Sequence, residues 1–117
     1  MEYDILARVL GALCEVPYHW PTIAGEACAS EFETLGALRV LTARGVAVRR
    51  FDVWSLPAAM SQTQAQVLLA LDDAGALSDA ALASRLAVPA HVVTAALWDL
   101  SRAHRVSEVR RLWQRAA

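Results

Sequence analysis

The feature that most limits what this chain can fold into is a repeat. The stretch Ala7 to Leu13 (ARVLGAL) matches Ala65 to Leu71 (AQVLLAL) at five of seven positions, at an offset of 58 residues. Further along the offset becomes 59, so that Ala24 corresponds to Ala83, Ala37 to Ala96, Leu38 to Leu97, Leu41 to Leu100 and Trp54 to Trp113. The matches fall on apolar positions in the same order in both halves. They predict a duplicated three-helix unit, residues 1–57 and residues 58–117, with one residue gained between the first and second helices.

Length agrees with that division. A chain of 117 residues holds one ordinary core or two very small ones, and leaves little room for an elaborate enzyme. Hydrophobic residues make up 56% and charged ones 20%, with five Gly and four Pro, which suits a compact fold and excludes a disordered tail.

Local signals place the elements. Leu6, Val9, Leu10 and Leu13 mark one helical face, Pro21 suits the first turn of a second helix, and Ser30 with Glu33 forms a capping box opening a third that should stop near Gly45. Val46 to Leu56 is rich in Val, Phe and Trp around Arg49 and Arg50, a composition for a short β-hairpin. In the second half, Ser61 with Gln64 makes another capping box and Gly75 closes that helix. Ser78 and Asp79 start a helix running to about Ala87, and Pro89 sits in the first turn of the next, which reaches about Ala103. Val106 to Arg115 is open to two readings. It can form an abbreviated hairpin, but without a Gly or Asn-Gly turn, and with Val109, Leu112 and Trp113 on one face, a terminal helix capped by Ser107 is the expectation.

The stretch Leu82 to Leu100 (LASRLAVPAHVVTAALWDL) resembles the helix-turn-helix of bacterial winged-helix regulators such as the MarR-like families. Leu82-Ala83 opens the second helix, Ala87-Val88 forms the turn, and Val93, Leu97 and Leu100 hold the third helix to the core. Ile23 to Leu41 is similar more loosely, with Ala27 and Thr34 where larger apolar residues are usual. The resemblance implies a mainly α fold of two tandem winged-helix units, each of three helices and a short wing. It also implies that the third helix enters the DNA major groove while the wing touches the backbone or the minor groove.

The side chains available for that task are uneven. Outward positions of the later third helix are Ala90, His91, Thr94, Ala95 and Trp98, with Arg102 near its end; His91 and Thr94 are the candidates for base edges. Arg85 belongs to the helix before it. Positive charge gathers in the hairpin region, at Arg49 and Arg50, and in the C-terminal segment, where Arg105, Arg110, Arg111 and Arg115 against Glu108 leave a net +3. The net charge of the chain is only -1, so no global field draws it to nucleic acid and any contact must be local. All eleven basic residues are arginine, which reflects a GC-rich coding sequence as readily as a need for bidentate phosphate contacts.

The earlier third helix reads differently. Its outward positions are Glu31, Phe32, Leu35, Gly36 and Arg39, and Glu31 with Glu33 would repel phosphate at the end meant to approach it. Phe32, Leu35 and Arg39, with Trp98 of the later helix, therefore form a candidate protein interface. A register shifted by one would instead bury Phe32 and Leu35 and expose Thr34.

Other chemistry finds no support in the residues. Cys14, His19 and Cys28 lack a fourth ligand for zinc and read as buried reduced thiols and a bystander. There is no glycine-rich phosphate loop, no H-E-x-x-H and no partnered nucleophile, so neither an enzyme nor a cofactor is expected. The N-terminal MEYDILARV carries acids where a secretion signal needs bases, and no apolar run approaches ~20 residues, so a cytoplasmic protein without a membrane span is expected. The leading expectation is a non-enzymatic regulator or accessory factor, a homodimer that contacts double-stranded DNA through arginines. The alternative is a protein-interaction module, as in tandem winged-helix subunits of chromosome-condensing complexes; an enzyme subunit or a small-molecule sensor, with a pocket between paired units, comes third.

Overall fold

The structure is a computed structural model that describes residues 2–116. These form six helices and two small three-stranded antiparallel sheets, a mainly helical fold. The chain divides into two compact units, Met1–Ala65 and Gln66–Ala117.

In the first unit the order is α1 (Tyr3–Gly11), β1 (Tyr18–His19), α2 (Trp20–Ala27), α3 (Glu31–Ala43), β2 (Val48–Arg50) and β3 (Val53–Ser55). Leu6, Val9 and Leu10 of α1 pack with Ile23 of α2 and Leu38 and Leu41 of α3, all fully buried. The helix ends follow the local chemistry. Ser30 Oγ accepts from the Glu33 amide and Glu33 Oε1 accepts from the Ser30 amide, both at 3.1 Å, which completes the capping box of α3. Gly45, at φ 77°, turns the chain out of α3 toward the sheet at no steric cost. Gln62 Nε2 donates to the carbonyls of Leu10 and Leu13 at 3.0 and 2.8 Å, satisfying the Leu13 carbonyl past the end of α1 and adding a second bond to that of Leu10, which already accepts from the Leu13 amide.

Thr34 is the departure from an apolar core. It is fully buried and its Oγ1 has no hydrogen-bond partner. The register read from the sequence therefore holds, with Phe32 outside and 86% exposed.

The second unit runs α4 (Gln62–Ala74, beginning in the last residues of the first unit), β4 (Ala76–Leu77), α5 (Asp79–Leu86), α6 (Ala90–Arg102), β5 (Val106–Val109) and β6 (Leu112–Arg115). Ser61 and Gln64 form the expected capping box at 3.1 and 2.9 Å. Ser78 caps α5 by accepting from the Ala81 amide. Pro89 stands one position earlier than expected, as the N-cap of α6. Val93, Leu97 and Leu100 are buried, as the helix-turn-helix resemblance implies.

The C-terminal segment departs from the expected helix. It is a hairpin with Val109 opposite Leu112, so Arg110 and Arg111 alone make the turn. Both take left-handed backbone, φ 53° and 67°, supplying the primed geometry that Asn-Gly usually gives. Each such residue costs about 1–2 kcal/mol without glycine. Burial outweighs that cost: alternation along the strands buries Val106 and Trp113, and truncating an aromatic of this size in a core costs about 3–5 kcal/mol. Val109 and Leu112, expected on a helical face, are 50% and 42% exposed.

The two units share one element order, and their sheets share one strand order, β1-β3-β2 and β4-β6-β5. Trp54 and Trp113 each hold the second place of the last strand, and both are buried.

Candidate nucleic-acid interface

The first hairpin pairs Val48 with Ser55, Arg49 with Trp54 and Arg50 with Val53. Alternation along β2 sends Arg49 and Arg50 to opposite faces. The Arg49 guanidinium lies 5.4 Å from the Trp54 ring centroid, a cation–π contact, and its Nε donates to the Phe51 carbonyl at 2.6 Å. Arg49 thus fixes the tip of its own hairpin. Arg50 is exposed with no ionic partner among the described residues. At the tip, Phe51 has φ 57° and is 93% exposed, while Asp52 meets His19 Nδ1 at 3.4 Å.

The second hairpin is the more basic. Arg110 and Arg111 occupy both turn positions, exposed and without ionic partners among the described residues. Arg105 is likewise exposed just before β5. Arg115 is anchored by Asp72 Oδ2 at 3.3 Å.

The third helices carry less free charge. In α6, Thr94 Oγ1 donates to Asp79 Oδ2 at 3.0 Å, so the hydroxyl expected to reach bases is engaged within its own unit. His91 is exposed, and Trp98 is 51% exposed with its ring edge-on to Trp113, centroids 5.4 Å apart at 86°. Arg102 pairs with Asp99 at 3.0 Å, and Arg85 pairs with Asp73. In α3, Glu31, Phe32, Leu35, Gly36 and Arg39, with Ser30, line a groove of 610 Å³. A second groove of 430 Å³ joins Leu35 and Arg39 to Arg49 and Trp54. The structure therefore brings Arg39 and Arg49 to one groove, although the sequence assigns them to different surfaces.

Two features escape the sequence. Phe51 caps a two-residue turn with no Gly or Asn to announce it, and Asp79, read only as a helix start, holds two partners. Both thiols are free; Cys14 is half-buried and Cys28 exposed, because Cys28 fills the left-handed C-cap of α2 at φ 52° in place of the buried position expected. Among the described residues no group of three His, Cys, Asp or Glu side chains is placed to hold a metal ion, and no single helix is long and apolar enough to cross a membrane.

No protein-family model and no curated protein matches the chain. Among solved structures, it is similar to the mRNA-binding domain of elongation factor SelB from E. coli in complex with SECIS RNA, at 16% identity and TM-score 0.43, over 99% of this chain and 98% of that one. It is also similar to the DIP2311 protein from Corynebacterium diphtheriae, at 15% identity and TM-score 0.43, over 98% of this chain and 26% of that one.

Proposed function

We propose that the protein is a non-enzymatic, cytoplasmic DNA-binding factor of the bacterial winged-helix type, built by duplication of residues 1–57 into residues 58–117. It holds double-stranded DNA, as a homodimer, chiefly through phosphate contacts from its hairpins. It acts as a transcription regulator or accessory factor.

The observation that carries this reading is the β5–β6 turn, where two adjacent exposed arginines stand at positions that ordinarily favour Asn and Gly. Arg110 and Arg111 are two consecutive left-handed non-glycine residues, and strained backbone of this kind clusters at functional sites. Arg50 and Arg105 are similarly free to meet phosphate, whereas Arg85 and Arg102 would first have to leave Asp73 and Asp99. Small side chains at Ala90 and Ala95 allow α6 to approach a groove, with His91 as the base-edge candidate. Binding led by the backbone is weakly sequence-selective. The double variant Arg110→Ala, Arg111→Ala should therefore lose affinity equally on unrelated duplexes; a loss confined to one sequence contradicts phosphate contact.

A second reading, a protein-interaction module, is favoured by the outward Phe32 and the groove beside it on α3. In that reading Phe32→Asp abolishes association with a protein while leaving the fold intact.

A further inference from the structure

We propose that the exposed face of α3 is self-complementary and pairs with α3 of a second copy in antiparallel fashion, which gives the proposed homodimer its interface. The proposal rests on the homodimer of the preceding reading, and does not depend on whether DNA is bound.

The argument begins with spacing. Glu31, Leu35 and Arg39 stand at i, i+4 and i+8, so they form one continuous row on the helix surface, with each charge about 6 Å along the axis from Leu35. Glu31 and Arg39 are exposed, Leu35 is half-buried, and neither Glu31 nor Arg39 has an ionic partner among the described residues. The row is thus negative at one end, apolar at its centre and positive at the other.

A two-fold axis passing beside Leu35 reverses that pattern onto itself. When two helices cross near -50°, their i, i+4 rows lie side by side. Glu31 of each copy then faces Arg39 of the other, Leu35 meets Leu35, and the helix dipoles run antiparallel. Glu31, an obstacle to phosphate, becomes an asset here, while Glu33 stays engaged with Ser30.

Shape agrees with charge. Phe32 and Gly36 make up the adjacent row, and the two rows together, with Ser30, line the 610 Å³ groove. Gly36 costs helix stability in the middle of a 13-residue helix, yet it leaves the groove open for the incoming Leu35 row. Phe32, at 86% exposure, supplies the apolar wall. One helix pair of this length covers less than the ~1,600 Å² of a standard stable complex, so the dimer is a reversible one of micromolar order.

The test is the mass of the full-length chain by sedimentation velocity over a concentration series, without nucleic acid. The wild-type chain should move from 12.7 kDa toward twice that mass as concentration rises. Glu31→Arg alone and Arg39→Glu alone should each weaken self-association about tenfold or more, because each reversal places like charges opposite one another twice. An equimolar mixture of the two single variants should dimerise again, since every cross-copy contact then joins opposite charges. Circular dichroism of each variant confirms that it is folded. Rescue in the mixture supports the pairing even where one variant alone is less stable. A wild-type chain that stays monomeric throughout overturns the proposal, as do single variants that remain dimeric, a mixture that stays monomeric, or a monomer that uses Phe32 to hold an unrelated protein. Loss of duplex binding with the dimer intact leaves it standing and removes only the DNA reading.

Discussion

The indole N–H of Trp113, on the last strand, donates to Asp79 Oδ1 at 2.6 Å, and the other oxygen of the same carboxylate accepts from Thr94 at 3.0 Å. One residue at the start of α5 thereby fixes both α6 and the hairpin that presents Arg110 and Arg111. Asp79→Ala leaves a buried indole N–H and a half-buried hydroxyl unpaired. The expected loss is about 2–4 kcal/mol in urea unfolding, at the level of two hydrogen bonds to a charged acceptor. A loss under about 0.5 kcal/mol, the size of an ordinary surface substitution, shows that the carboxylate does not hold the hairpin.

The turn trades stability for charge. Replacing Arg110 and Arg111 by Asn and Gly removes the left-handed cost at the glycine and eases it at the asparagine, and should stabilise the second unit by about 1–2 kcal/mol. Duplex affinity should fall in the same variant. Tighter DNA binding by the more stable protein is the outcome at odds with the account.

Thr34 offers a gain without a functional cost. Its hydroxyl is buried without a partner, so Thr34→Val removes an unsatisfied group while nearly preserving volume, and should raise stability by about 1 kcal/mol. Calorimetry checks this; a lower midpoint means that the hydroxyl is in use.

Arg49 and Arg50 should behave differently although they are neighbours. Arg49→Ala removes the contact to Trp54 and the bond to the Phe51 carbonyl, and should cost about 1–2 kcal/mol of stability. Arg50→Ala leaves stability within about 0.5 kcal/mol and weakens duplex binding. Thermal melts and binding isotherms of both variants separate the two roles, and equal effects on stability remove the distinction.

What could be read in the sequence was local. The boxes at Ser30–Glu33 and Ser61–Gln64, the cap at Ser78 and the breaks at Gly45 and Gly75 depend on residues within a few positions of each other, and all are where the sequence places them. The C-terminal hairpin is the less favoured of two readings of the sequence, because its determinants are distant. Trp113 is secured by Asp79, 34 residues away, and the turn lacks the Gly or Asn that would mark it. Thr94 shows the same limit at the candidate site. Helical periodicity turns it outward, and only the fold brings Asp79 within reach.

The central claim is that free hairpin arginines bind phosphate, and salt tests it most directly. Fluorescence anisotropy of a labelled duplex, titrated at a series of salt concentrations, gives the slope of log affinity against log salt. Contacts from Arg50, Arg105, Arg110 and Arg111 of both copies of the proposed homodimer predict a slope of about -7.2, at about 0.9 per phosphate, falling to about -3.6 in the double variant Arg110→Ala, Arg111→Ala. A slope that the double variant leaves unchanged, or no duplex binding at ~50 mM salt, contradicts the account.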